Sequence, residues 1–203
     1  MNVAAIQQHM KSAGFDPGPI DGNLGPQTYS ALLGYVADRQ LGDVGPQLGR
    51  GMDGHLGAAG ISTDLRLAHF VGQACHETAG FRYLTEVGGP TYCARYDGRA
   101  DLGNTCDGDG YRYRGRGVFQ LTGRANYEAM ERRTRLPLTN NPDLASQPPN
   151  AVWLACLFWT DHHLNILADA DDVEGVTTRI NGGLNGLAER QALTQRAKAI
   201  LLG

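Results

Sequence analysis

Lysine is almost absent from this chain of 203 residues, where Lys11 and Lys198 are the only two and the rest of the positive charge is arginine. With a net charge of -3 there is no general electrostatic pull toward nucleic acid, and arginine points instead to planar, forked contacts. Cysteine is sparse as well. Cys75, Cys93, Cys106 and Cys156 form no Cys-x-x-Cys pair and no zinc-type spacing, so neither a structural zinc site nor a dithiol redox centre is expected. Cys75 and Cys156 lie in apolar helical runs and read as core, whereas Cys93 and Cys106 flank a polar loop that a disulfide could close. No apolar run approaches the roughly 20 residues of a membrane span, so insertion in a membrane is not expected. Residues 1–12 lack a basic start followed by an apolar stretch, which leaves no export signal and a cytoplasmic site of synthesis as the expectation. With 41% hydrophobic residues the chain can bury one sizeable core and carry a small appendage.

What is present is mostly helical periodicity. Val3, Ile6, Met10 and Ala13 recur at helical intervals before Gly14-Phe15-Asp16-Pro17-Gly18-Pro19 breaks the pattern, and a second short helix starts after Gly25-Pro26. Between them Ile20-Asp21-Gly22-Asn23-Leu24-Gly25 reads as a tight turn. Residues 41–61 are glycine-rich and predict a connection holding one short helix. Ser62-Thr63-Asp64 then signals a helix start, with Leu67, Phe70, Val71, Ala74 and Thr78 on one stripe and Gly80 as the stop. After it, residues 82–110 predict a long loop, the kind that in a compact domain usually serves function. An apolar helix capped by Asn150 is expected to run through Leu164, followed by helices over 171–181 and 186–202, the last with Leu187, Leu193, Ala197 and Leu201 inward.

Two stretches carry chemistry. His76-Glu77-Thr78-Ala79-Gly80-Phe81 sets a carboxyl group at the negative end of an apolar helix, a setting suited to an acid that must hold a proton and give it up. A frayed, solvated helix end has the same spacing. Because position 80 is glycine, the His-Glu-x-x-His zinc signature is broken, and Cys75 and His76, about 100° apart around a helix, cannot work as a catalytic pair. The second stretch runs from Tyr111 through Tyr127, where aromatic and basic residues alternate before polar Gln120, Thr122 and Asn126. It predicts an extended segment whose aromatic and arginine faces suit sugar rings and whose amides suit sugar hydroxyl groups. Such a stretch could also stack single-stranded nucleic acid, against which the net charge stands.

The helix, Gly-Pro loop, Asp-Gly turn and helix of residues 3–37 resemble the small peptidoglycan-binding modules of cell-wall hydrolases, with Gln7, Gly14, Pro19-Ile20-Asp21-Gly22, Gly25, Thr28 and Ala31 at matching places. A hairpin that merely packs on the main domain would also fit. His76 to Phe81, Tyr113 to Tyr127 and Ile180-Asn181-Gly182-Gly183, in that order, resemble glycoside hydrolase family 19, and Gly88-Gly89-Pro90 with Arg95 to Asn104 resembles its bacteriophage endolysin branch. The resemblance implies a mainly helical, lysozyme-like catalytic domain over residues 62–203, behind a helical hairpin at 1–40 and a connection at 41–61.

It further implies Glu77 as general acid and a second carboxylate in the following loop as the base that activates water. Glu86 is the choice, with Asp97 and Asp101 as fallbacks. Inversion requires the two carboxyl groups roughly 6.5 to 9.5 Å apart. Tyr113, Arg116, Gln120, Thr122, Asn126 and Asn181 are the implied substrate-binding residues, and Arg196 the arginine near the acid. The implied partner is bacterial peptidoglycan, acted on by a monomer without cofactor or metal and held in the host cytoplasm until released to the wall. A chitinase and a noncatalytic wall-binding protein are the alternatives.

Overall fold

The long apolar stretch after Ser62 forms the helix on which the others are stacked. In a computed structural model, which describes residues 2–203, helix α4 spans Asp64–Glu77, its first turn closed by the Thr63 hydroxyl accepting the Arg66 N–H at 3.2 Å. Every residue from Leu67 to Cys75 is buried. Before it come α1 (Val3–Ser12), α2 (Pro26–Ala37) and α3 (Val44–His55). After it come the short α5 (Pro90–Cys93) and α6 (Asp109–Arg112), then α7 (Arg124–Thr134), α8 (Pro148–Asp161), α9 (Leu164–Asp169), α10 (Val173–Asn181) and α11 (Leu187–Leu201). Among the described residues there is no strand, and no helix is long and apolar enough to cross a membrane.

Helix α11 lies against α4 at a contact that only glycine permits. A Cβ on Gly72 would sit 2.3 Å from the Thr194 hydroxyl oxygen and 2.7 Å from the Thr194 Cα, so the obstacle is backbone as well as side chain. Gly72→Ala is expected to destabilise by about 1–3 kcal/mol, the scale of an overpacked core. Thermal melts should show the loss, with Gly54→Ala as control because nothing lies within 4 Å of a Cβ there. An unchanged Tm for Gly72→Ala would mean that the two helices part freely.

The glycine-rich segment at 41–61 holds the one helix expected there, α3, of 12 residues and wedged between α2 and α8. The glycines that read as a flexible connection are contact points: a Cβ on Gly49 would fall 2.0 Å from the Pro26 carbonyl oxygen, and one on Gly51 would fall 2.9 Å from the Val152 Cβ. Ile6, Met10, Leu32, Leu33 and Val36 of the hairpin share one core cluster with Leu48, Met52, Phe70, Trp159 and Ile200. Arg39 adds a hydrogen bond to the Gly80 carbonyl at 2.8 Å, just past the end of α4.

Residues 82–110 are not an open loop. Besides α5 they contain 3-10 turns at Ala94–Tyr96 and Ala100–Leu102, tied down where Gly110 N–H donates to Asp97 Oδ1 at 2.7 Å and Asn104 donates to the Tyr96 carbonyl at 2.8 Å. Asp109 is buried and paired with Arg124 at 2.5 Å. Burial alone would raise its pKa, but Arg124 and the N–H groups of Cys106 and Thr105 outweigh it and hold the carboxyl below its ordinary 3.8. Both Cys93 and Cys106 are free thiols, the first buried and the second exposed.

The expected extended segment at 111–127 opens instead inside α6 and then makes only two isolated bridges, Thr85 with Arg116 and Arg116 with Leu121. Positive φ at Gly117 (+81°) and Gln120 (+49°) folds it tightly back on Arg116. Helix α8 begins at Pro148, with Asn150 bonding the Leu144 carbonyl at 3.0 Å rather than capping, and the helix breaks at His163 (φ +54°) before α9.

Candidate active site

Helix α4 ends in a reversal of hand. Ala79, Gly80 and Phe81 take φ of +49°, +71° and +62°, of which only the glycine adopts that region without penalty. Buried contacts hold the turn. The Thr78 hydroxyl donates to the Ala74 carbonyl at 2.6 Å and accepts the Phe81 N–H at 2.9 Å, while the Phe81 ring sits in the core. Glu77 is thus the last helical residue, fixed immediately before the chain turns away.

The sequence pattern gave Glu77 an apolar surround, but the structure gives it an arginine. Glu77 is 19% exposed, and its Oε1 accepts from Arg190 Nη2 at 2.5 Å. Arg190 is 2% exposed and fully engaged: Nη1 donates to Gln73 Oε1 at 2.6 Å and Nε to the Asn185 carbonyl at 3.1 Å. Gln73 in turn donates to the Thr177 hydroxyl of α10 at 3.1 Å. One residue earlier, His76 Nδ1 lies 2.9 Å from Glu189 Oε2 without hydrogen-bond geometry, so successive residues of α4 face successive residues of α11. Gln73 and Arg190 were not among the expected site residues. Gln73 could have been found, four residues before Glu77 on the same helical face. Arg190 lies on the inward face expected for its helix, three residues from Leu187 and from Leu193, so its phase was available, but a charged residue on that stripe gave no sign of which acceptors it meets.

Glu86 is held by a different part of the chain. Its backbone N–H donates to the Gly115 carbonyl at 2.8 Å, and Gly115 N–H donates back to Glu86 Oε2 at 3.0 Å. Tyr96 donates its hydroxyl to Glu86 Oε1 at 3.3 Å. A Cβ at Gly115 would lie 2.4 Å from Gln120 Oε1 and 3.3 Å from the Thr122 hydroxyl, so any larger residue would push the Gln120 side chain away. Gln120 and Thr122 therefore gather around the residue that holds Glu86. Thr122 Oγ1 bonds the Gln120 carbonyl at 2.9 Å, and the exposed Asn126 bonds the Thr122 carbonyl at 2.7 Å. Asn181 lies exposed at the end of α10, beside the turn that supplies Asn185 to Arg190. The fallback carboxylates are engaged elsewhere, Asp97 with Gly110 N–H and Asp101 with Arg99.

Three expected contacts need correction. Tyr113 and Arg116 are only 2% and 3% exposed and cannot face a sugar. Arg116 is spent on Asp143 at 2.8 Å, on the carbonyls of Arg112 and Arg114 and on the Tyr127 hydroxyl, while Tyr113 packs with Tyr127 and Leu138 in a second small core. They support the segment that carries Gln120 and Thr122 rather than a ligand. Arg196 pairs with Asp38 at 2.8 Å and stacks on Tyr35, so the arginine beside the acid is Arg190.

The helical scaffold thus carries a carboxyl group braced by Arg190 at the end of α4 and a second one, Glu86, held by Gly115 and Tyr96 close to Gln120 and Thr122. A sequence model described as chitinase class I matches residues 52–184, and the chain belongs to glycoside hydrolase family 19. A Haemophilus influenzae glycosyl hydrolase family 19 domain-containing protein is 31% identical over 160 residues, covering 65% of this chain and 78% of that protein. Tobacco acidic endochitinase Q is 30% identical over 168 residues, with 69% of this chain and 61% of the plant protein covered. Chitinase C from Streptomyces griseus has the same fold, with a TM-score of 0.67 at 22% identity over 85% of this chain and 75% of that one.

Proposed function

We propose that this glycoside hydrolase cleaves the β-1,4-linked glycan strand of bacterial peptidoglycan with inversion, as an endolysin that acts as a monomer once released to the wall. In this reading Glu77 protonates the glycosidic oxygen, Glu86 takes a proton from the attacking water, and Gln120, Thr122, Asn126 and Asn181 hold the sugars. The observation that carries the choice of substrate is the N-terminal turn. Gln7 is buried and makes four contacts there, accepting the Gly22 N–H at 2.9 Å and donating to Asp21, the Asn23 carbonyl and the Thr28 hydroxyl at 3.0 Å each. The result is a preformed turn beside a groove of about 330 Å³ lined by Pro17, Pro19, Asp21 and Gln27. A rigid, grooved turn of this kind suits a wall-binding role, and its residues are those that resemble peptidoglycan-binding modules.

Chitin is the second reading, favoured by the family description and by the plant endochitinases among the relatives. Purified sacculi and colloidal chitin digested side by side separate the two. Mass spectrometry of borohydride-reduced fragments should show reduced muramic acid ends from sacculi, and activity on chitin alone would overturn the proposal.

Glu86→Gln keeps one carbonyl oxygen for Gly115 N–H and loses the charge that draws a proton from water. Turnover is expected to fall by about 10²-fold or more, the scale of a lost general base. A loss of only a few-fold would move the base to Asp97 or Asp101.

A further inference from the structure

Beside Glu86 stands a group that the proposed chemistry does not use. Arg95 lies in the 3-10 turn after α5, its guanidinium carbon 3.7 Å from the centroid of the Tyr92 ring and 4.7 Å from that of Tyr96. Its Nη2 donates to both tyrosine hydroxyls, to Tyr96 at 2.6 Å. The Tyr92 ring is itself lodged against backbone, since a Cβ on Gly88 would fall 2.5 Å from its Cδ1. The guanidinium is thereby fixed before any ligand arrives, which removes most of the ordering cost that an arginine normally carries into a complex.

Fixing it does not exhaust it. Among the described residues the hydrogen bonds of Arg95 leave from Nη2, and the side chain is 48% exposed, so the Nε and Nη1 donors, on opposite edges of the guanidinium, remain for another partner. Glu86 is not that partner. Its Oε1 is 3.9 Å from Nη2, beyond hydrogen-bond range, and already accepts from Tyr96. With Nη2 taken by the tyrosines neither bidentate edge is free, but Nη1 or Nε can each give one charge-assisted hydrogen bond to a carboxylate. Chitin has none, whereas muramoyl strands carry them as the lactyl acid or, when a peptide is attached, as acids of the peptide.

We propose that Arg95, framed by Tyr92 and Tyr96 beside Glu86, is a carboxylate-binding subsite that reads the acidic substituent of a muramoyl residue and so selects an anionic strand over a neutral one. The inference rests on the peptidoglycan reading above and names the residue that would enforce it.

The test compares wild type with Arg95→Gln on three substrates: chitohexaose, glycan strands stripped of peptide by an amidase, and intact sacculi. The expected result is a fall in kcat/KM of about tenfold or more on an acidic substrate, the scale of one charge-assisted hydrogen bond, with chitohexaose cleavage changed less than about threefold. Loss on stripped strands assigns the lactyl carboxylate, and loss on sacculi alone assigns the peptide. Arg95→Lys, which keeps the charge without the planar guanidinium that the two tyrosines hold, should recover part of the preference. Equal losses on chitohexaose and acidic strands would overturn the inference by showing that Arg95 acts through Glu86, and no loss on either acidic substrate would overturn it outright. Wild type that cleaves chitohexaose but neither acidic substrate would instead sink the peptidoglycan reading on which the inference depends. Binding of stripped strands to Glu77→Gln with and without Arg95→Gln gives a second readout independent of turnover.

Discussion

Glu77→Gln is expected to fold and to lose nearly all turnover, by about 10²- to 10⁴-fold. The substitution is nearly isosteric, and the amide oxygen can still accept from Arg190 Nη2 as Glu77 Oε1 does. What disappears is the acidic proton, and with it the means to charge the leaving oxygen as the glycosidic bond opens. The variant should also melt somewhat lower than wild type, because a buried guanidinium is then left without its counter-charge. Reducing-end release from wall or chitin substrates, measured together with a thermal melt, separates the two effects. Wild-type-like rates would place the acid elsewhere in the chain.

The second large effect belongs to Arg190. Arg190→Ala removes the partner of Glu77 and leaves Gln73 Oε1 and the Asn185 carbonyl without their donor at a site that is 2% exposed. Breaking a buried pair in this way costs about 3–5 kcal/mol. For a chain of this size that corresponds to a drop of roughly 6–20 °C in Tm. Glu77, at 19% exposed, can partly hydrate, so the loss falls on folding more than on the carboxylate itself. Arg190→Lys should lie between, since one ammonium cannot span three acceptors, two on α4 and one on the turn before α11. Because the two residues act together, the double variant Glu77→Gln/Arg190→Ala should be less damaged in Tm than the sum of its parts. Strict additivity, or an unchanged Tm in Arg190→Ala, would mean that the ion pair does not brace the acid.

Helix α4 was legible because its cap, its stripe and its stop are all local: Thr63, then Leu67, Phe70, Val71 and Ala74, then Gly80. The same holds for α10, where Asp172 caps through Gly175 N–H at 2.8 Å one residue inside the expected start. The glycines before α4 were misread because glycine has two uses. It loosens a loop, and it lets helices touch, and only the positions of Pro26, Pro149 and Val152 reveal which applies to Gly49 and Gly51. Arg116 and Tyr113 were misplaced for a related reason. Alternating arginine and aromatic residues next to glycines describe a ligand surface equally well as an interior whose charges are satisfied at a distance, and Asp143, 27 residues onward, decides the matter. The phase of α11 places Arg190 inward, between Leu187 and Leu193, but the groups it meets were hidden. Its burial depends on acceptors from Gln73 and Asn185, and no period within its own helix announces them.

The family match ends at residue 184, and the arginine that meets the acid stands at 190. Every motif by which the chain is recognised lies upstream of that boundary, yet the helix after it supplies Arg190 and Glu189 to Glu77 and His76. The recognisable segment and the working unit are therefore of different lengths. Anyone transplanting this domain into a chimera, and cutting where the resemblance stops, would carry over both carboxylates and leave behind the group that holds the first of them in place.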